Sequence, residues 1–267
     1  MSDSFFRSRL ISIIDPNDVR MSAFAAQRDH YFKSRNEIIV DSAQVVVRLI
    51  EEPLAIRSVW ATADFYQRFG AELMKRAEAD ASFYISEHHV LEQVVGHRLH
   101  QGIMVIAERP ADTPLPLLGN KIVILAGVNN AENTGAILRN CHAFGVDSVL
   151  VDPVGSSPWV RRSIRVSMGS AFKLKIHHSA DLKSDLVSLK ERGYKIYSTG
   201  NYEHALPLPE IKWSTRCAVI IGSEFTGVDE EVQKSSDAVI KIPVAPTIDS
   251  LNAAVASGVM LFHWSLS

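Results

Sequence analysis

The sequence predicts an α/β fold whose second half is a mostly parallel sheet covered by helices on both faces. Two observations carry this. Short apolar runs of strand length recur as KIVILAG (121–127), SVLVD (148–152), KLKIHH (173–178), YKIYSTG (194–200), CAVIIGS (217–223) and AVIKIPV (238–244). Between them lie stretches whose apolar residues return every three or four positions, the helical period. Strands that alternate with helices build a parallel sheet with both faces buried.

One such helix runs from about Thr134 with Ile137, Cys141 and Phe144 on its apolar stripe, and Gly145 stops it. A second spans 181–192 on Leu182, Leu186 and Leu189, stopped by Gly193. The last begins near Ser250 and carries Leu251, Ala254, Val255, Gly258 and Phe262. The first half alternates too. EIIV (37–40) reads as a strand, followed by a helix with Ala43, Val46, Val47 and Ile50 on one face. SVWAT (58–62), a helix over 64–79, FYIS (83–86) and GIMVIAE (102–108) complete a small α/β domain. RPADTPLPLL (109–118), with three prolines, reads as a linker. The expected organisation is an extension over 1–20, a first domain over 21–108, the linker, and a second domain over 119–267.

The composition is that of a globular chain: 46% hydrophobic, 22% charged, net charge −2. No apolar run approaches the ~20 residues of a membrane span, and the N-terminal Arg7, Arg9 and brief apolar stretch, surrounded by Asp3, Asp15 and Asp18, do not read as a signal peptide. Cys141 and Cys217 have no metal or redox spacing, so no metal and a reducing, cytoplasmic setting are expected. Net charge decides nothing about nucleic acid, because placement of the basic residues matters rather than their sum.

Ligands of parallel sheets bind beyond the carboxyl ends of the strands, which directs attention to three loops. NNAENTGAILRN (129–140) puts Gly135 and Arg139 one turn apart, away from the apolar stripe. GSEFTGVDEEV (222–232) sets two glycines around Glu224, and APTIDSLNAAVASG (245–258) places Ser250 and Asn252 at a helix start. Each has an ordinary structural reading: Asn133 and Ser250 as helix caps, Arg139 as a surface arginine, acidic residues 229–231 as a favoured first helical turn. A dinucleotide-binding GxGxxG, a phosphate loop and a GxSxG elbow are all missing. His88–His89 and His177–His178 lack the spacing of a helical zinc site.

Together, the three loops resemble the motifs of the SpoU/TrmH RNA methyltransferases. N-x-G-x-x-x-R is matched by Asn133, Gly135 and Arg139; G-x-E-x-x-G by Gly222, Glu224 and Gly227; and I-P-x(6)-S-L-N by Ile242, Pro243, Ser250, Leu251 and Asn252. The chain departs from the usual pattern at Ser223, Val244 and Pro246. The first domain is similar, through IIVDSAQVVVRLI and HQGIMVIAE, to the ribosomal-protein-like RNA-binding domain that often precedes the catalytic one. Asp41–Ser42 stands there where the family usually has Glu-Gly. The resemblance implies a trefoil-knotted catalytic domain, a homodimer, and transfer of methyl from S-adenosylmethionine to a ribose 2′-hydroxyl of structured RNA, rRNA before tRNA. It implies Gly222, Ile242 and Leu251 as cofactor contacts, and Arg139, Asn133, Glu224, Ser250 and Asn252 as the reaction site. Base methylation on the same scaffold, or a non-catalytic RNA-binding or assembly role, are the alternatives. Arg161, Arg162 and Arg165 are candidates for phosphate contact or for a solvated helix face.

Overall fold

The computed structural model describes residues 9–25, 35–96, 102–224 and 226–267. The chain divides into two compact units, Met1–Pro110 with Trp159–Phe172, and Ala111–Pro158 with Lys173–Ser267.

The first unit contains β1 (Leu10–Ser12), α1 (Ser22–Ala25), β2 (Glu37–Asp41), α2 (Ala43–Glu51), β3 (Ile56–Ala61), α3 (Ala63–Arg76), β4 (Ala77–Ile85), α4 (His88–Val95) and β5 (Ile103–Glu108). The sheet order is β1-β4-β3-β5-β2. β1 and β3 run parallel to β4, while β5 is antiparallel to both β3 and β2. Its core gathers Trp60, Phe24, Met21, Ile13 and Leu91. The Trp60 indole N–H donates to Ser86 Oγ at 2.8 Å, so the one polar atom of the buried ring is satisfied.

Several expectations for this half are corrected. Of the extension expected over 1–20, residues 1–8 lie outside the described residues, and 10–13 join the first unit, because β1 pairs with β4 and Ile13 is buried. The helix of 64–79 ends at Arg76, and Ala77–Ile85 continues directly as β4. On α2 the core-facing residues are Val45, Val46 and Leu49, a stripe rotated from the expected one.

The second unit contains β6 (Lys121–Ala126), α5 (Ala131–Ala143) and β7 (Ser148–Val151); the chain then leaves it for α6 (Arg161–Val166), which belongs to the first unit. It resumes with β8 (Lys175–His178), α7 (Leu182–Glu191), β9 (Lys195–Thr199), β10 (Leu206–Pro207), β11 (Cys217–Gly222), α8 (Glu230–Lys234), β12 (Ala238–Lys241) and α9 (Ala253–Ser265). All seven strands are parallel, in the order β10-β12-β9-β11-β6-β7-β8. β11 therefore lies between β9 and β6, the latter preceding it by a long stretch of chain. Burial on both faces explains the continuous apolar strands: every residue of β11 is buried. Leu182, Leu186 and Leu189 pack as the periodicity requires, against Ile122, Ile124, Ile196 and Ile220.

The proline-rich 109–118 segment is not a free linker. Thr113 N–H donates to Ile176 O at 2.7 Å, Arg192 donates to the carbonyls of Leu115 and Pro116, and Leu118 joins the core. The basic cluster is also placed differently. Arg161 and Arg165 both bond Asp41 Oδ2, at 2.8 and 3.2 Å, with Asp41 2% exposed. These two arginines hold α6 against β2 rather than forming a solvated face. No helix among the described residues is long and apolar enough to cross a membrane.

Candidate active site

The carboxyl ends of β9, β11 and β12 are neighbours in the sheet, and the loops that leave them enclose a cavity of about 340 Å³. Its walls include Gly222, Ile242 and Leu251, the three residues expected to hold a cofactor, together with Glu224 and Ser250. Apolar Ile221, Ile240 and Met260 supply the floor, with backbone groups from the loops around them. That mixture suits a small molecule with an apolar body and a few polar edges.

The β11 loop is tight. Ser223 and Gly227 exchange backbone hydrogen bonds of 3.0 and 2.9 Å, and Gly227 has φ +68°. A Cβ on Gly222 would stand 2.3 Å from the Gly227 carbonyl carbon and 2.4 Å from Val228 N, so only glycine lets the loop fold back onto the strand.

From that loop Glu224 meets two residues of the other motifs. Its Oε1 accepts from Asn252 Nδ2 at 2.6 Å and also from Asn133 Nδ2; Asn252 Nδ2 further donates to Asn133 Oδ1 at 3.1 Å. Three side chains far apart in sequence thus share one hydrogen-bond network. Asn252 has a second task, because its Oδ1 accepts from Ala254 N and Val255 N at 2.9 and 3.3 Å and caps α9. The expectation that Ser250 caps this helix is corrected; Ser250 is exposed and lines the cavity. Asn133 is likewise not the α5 cap. Asn130 takes that place, and Asn133 is buried in the first turn.

Arg139 lies on the exposed side of α5, with no hydrogen bond or ion pair among the described residues, and it does not line the cavity. The next residue had escaped notice in the sequence. Asn140 Nδ2 donates to Ala254 O at 2.9 Å and to Ser257 Oγ at 2.8 Å, fastening α5 to α9. Asp152, just beyond β7, was missed as well. It accepts from Gly127 N and Gly155 N at 2.7 Å each, bracing the loop that leads to Asn133. Burial pushes its carboxyl above the usual range, against the pull of those N–H groups. The wall formed by Thr199–Tyr202 follows a strand end, STGN, and could have been found by the rule that exposed the other three loops. The apolar stripe expected on α9 is reversed: Ala253, Ser257, Met260, Leu261 and Trp264 are buried, while Val255 and Phe262 are each 54% exposed.

A parallel α/β sheet whose strand-end loops close over a ligand cavity defines a class of small-molecule-binding enzyme folds. Comparison with known proteins gives the family. The SpoU rRNA Methylase family matches residues 120–262, and the chain belongs to that family, as an RNA methyltransferase. A tRNA (guanosine(18)-2′-O)-methyltransferase of Thermus thermophilus is 37% identical over 145 residues, covering 53% of this chain and 72% of that protein. An uncharacterised tRNA/rRNA methyltransferase of Mycobacterium tuberculosis is 28% identical over 263 residues, 94% of this chain and 90% of its own length. In fold, the chain is similar to an AdoMet-bound rRNA methyltransferase of Sinorhizobium meliloti, with TM-score 0.84, 20% identity, and 96% and 97% of the two chains covered.

Proposed function

We infer that the protein transfers the methyl group of S-adenosylmethionine to a ribose 2′-hydroxyl of a structured RNA, ribosomal before transfer RNA. The observation that carries the reading is the convergence of Asn133, Glu224 and Asn252 beside the cavity lined by Gly222, Ile242 and Leu251. The 2′-O activity named for the Thermus relative supports the ribose as acceptor.

The cavity fits the cofactor. Its size lies within the ~300–1,000 Å³ of small-molecule pockets, and Gly222, Ile242 and Leu251 would hold the molecule largely through backbone and apolar contacts. When bound, S-adenosylmethionine supplies a methyl group already activated by the sulfonium. The chain's own residues then align a poor nucleophile and assist loss of its proton. Glu224, with Oε1 fixed by two amide donors, is held in one orientation facing the cavity. Ser250 lines the cavity beside Glu224, and Asn133 supports Glu224 from behind through its amide. Arg139, exposed on α5 and without a hydrogen bond or ion pair among the described residues, would take an RNA phosphate and stabilise negative charge developing on the 2′-oxygen. A guanidinium stays charged at neutral pH, so this role is electrostatic rather than that of a base. The same reading includes a trefoil-knotted sheet, a cytoplasmic setting and a homodimer. The exposed apolar face of α9, Val255, Val259 and Phe262, is the surface such a dimer would cover.

Calorimetry with S-adenosylmethionine, followed by methylation of RNA and digestion of the product to nucleosides, tests the reading. A 2′-O-methylnucleoside is expected; a methylated base would select the alternative chemistry, and absence of cofactor binding would remove the enzyme assignment. Arg139→Ala should nearly abolish transfer with cofactor affinity unchanged, and Arg139→Lys separates a geometric from a point-charge role.

A further inference from the structure

The first unit holds a cavity of its own, about 670 Å³, where the starts of α2, α3 and α4 meet. We propose that it is a base-recognition pocket that takes an unstacked nucleobase of the substrate RNA, guanine in preference to the other bases. The proposal rests on the reading of the protein as an RNA-modifying enzyme and adds to it a specific site and ligand.

The walls carry the chemistry. Phe65 and Phe69 lie 4.8 Å apart between centroids, and the Arg68 guanidinium sits 5.2 Å over the Phe69 ring. Phe65 is buried behind, so the half-buried Phe69 ring and the exposed Arg68 guanidinium make the shelf, of the kind on which single-stranded bases stack. Asp64 and Glu87 line the same cavity as acceptors, and Gln44 offers an amide. Among the described residues, none of these three side chains is engaged in a hydrogen bond or ion pair within the protein. Two carboxylates disfavour a bare phosphate, whereas a carboxylate accepts two adjacent N–H groups well, and the Watson–Crick edge of guanine presents N1–H beside its exocyclic amine. Arg68 balances the carboxylates and suits the phosphate attached to the base.

The cavity is built on rigid supports. Phe65 is 4% exposed, so the inner ring is fixed in the core. Thr62 N–H donates to Gly102 O at 3.0 Å, and a Cβ on Gly102 would come within 2.6 Å of Thr62 Cγ2 and 3.0 Å of His88 Cδ2. Ser86, which holds Trp60 and donates to Ile13 O at 2.8 Å, fastens the opposite wall. Such preorganisation is what a specific recognition site needs.

The test uses the full chain and fluorescein-labelled RNA pentamers, UUGUU, UUAUU, UUCUU and UUUUU, read by anisotropy at fixed salt. Tightest binding is expected for UUGUU. Phe69→Ala should weaken it by roughly 5- to 150-fold, the usual range for one stacked base. Asp64→Asn and Arg68→Ala alter exposed side chains and keep the fold. Asp64→Asn should erase the preference for guanine while leaving S-adenosylmethionine affinity unchanged. Equal binding of all four pentamers, or a preference that survives Asp64→Asn, overturns the proposal. Methylation of total RNA by the same variants keeps the two readings apart. A wild-type KM in all three variants, with intact methyl transfer, removes the pocket and leaves the enzyme assignment standing. Guanine-selective binding without any methyl transfer does the reverse.

Discussion

Asn252 joins two tasks, capping α9 and donating to Glu224, and the substitution Asn252→Asp separates them. The cap survives, since aspartate and asparagine are equivalent acceptors at that position, and a charge at a helix N-terminus adds a few tenths of a kcal/mol. The donor does not survive. The 2.6 Å bond to the Glu224 carboxylate and the 3.1 Å bond to Asn133 are both lost. Bonds to charged groups contribute ~1.5–3 kcal/mol and neutral ones ~0.5–1.5 kcal/mol; at this exposed position the lower ends apply, about 2 kcal/mol together. The introduced carboxylate also faces Glu224, and like charges ~4 Å apart repel by ~1–4 kcal/mol between bulk water and a protein surface. The strain falls on the loops and is relieved by their opening. The melting temperature should therefore drop less than in Asn252→Ala, which loses the cap as well. A loss of at least 2 kcal/mol of site organisation corresponds to roughly a 30-fold slower methyl transfer. Single-turnover methylation with saturating RNA measures it. Lowering the pH should restore part of the rate, because two adjacent carboxylates raise one another's affinity for a shared proton. A wild-type rate for Asn252→Asp near pH 7.5 would refute the idea that the Asn133–Glu224–Asn252 network organises the site.

Ser42 has φ +90°, ψ +124°, a conformation in which glycine is at ease and serine is strained by ~1–3 kcal/mol. Ser42→Gly should stabilise the fold by about 1 kcal/mol after the larger chain entropy of glycine is subtracted, and thermal unfolding showing no gain would refute the strain. Gly222→Ala should collapse the β11 loop and reduce cofactor affinity at least tenfold by calorimetry, since its Cβ would sit 2.3 Å from backbone. Asn140→Ala cuts two ties between α5 and α9 and should lower stability by ~1–3 kcal/mol in denaturant titration; an unchanged midpoint would show the two helices held by packing alone.

The strand-end loops were legible because their chemistry is local: a glycine pair around Glu224, and small and polar residues opening α5 and α9. The details that escaped depend on contacts between distant segments. Ser250 and Asn252 are equally plausible caps, and only the position of Glu224 selects Asn252. The α9 sequence is apolar around its whole circumference, so no period identifies which side the core takes, and Val255 and Phe262 turned outward. The assignment of 159–172 to the first unit follows from Asp41 meeting Arg161 and Arg165 across some 120 residues of sequence. No pattern within either segment announces that meeting. The departure at Ser42 was visible as a residue difference, but its cost becomes apparent only from the backbone angle.

The placement of β11 between β6 and β9 has a consequence for biosynthesis. β6 is paired on its β7 side early, yet its other edge finds no neighbour until residues 217–222 have been made. With synthesis at ~5–20 residues per second, an apolar strand edge would wait on the order of 5–20 s for its partner, a template for unwanted strand addition in the meantime. The first unit is exposed to a shorter delay, because its five strands are complete by Glu108. A nascent chain halted before residue 217 should therefore recruit chaperones through its second half, and one released after α9 should not.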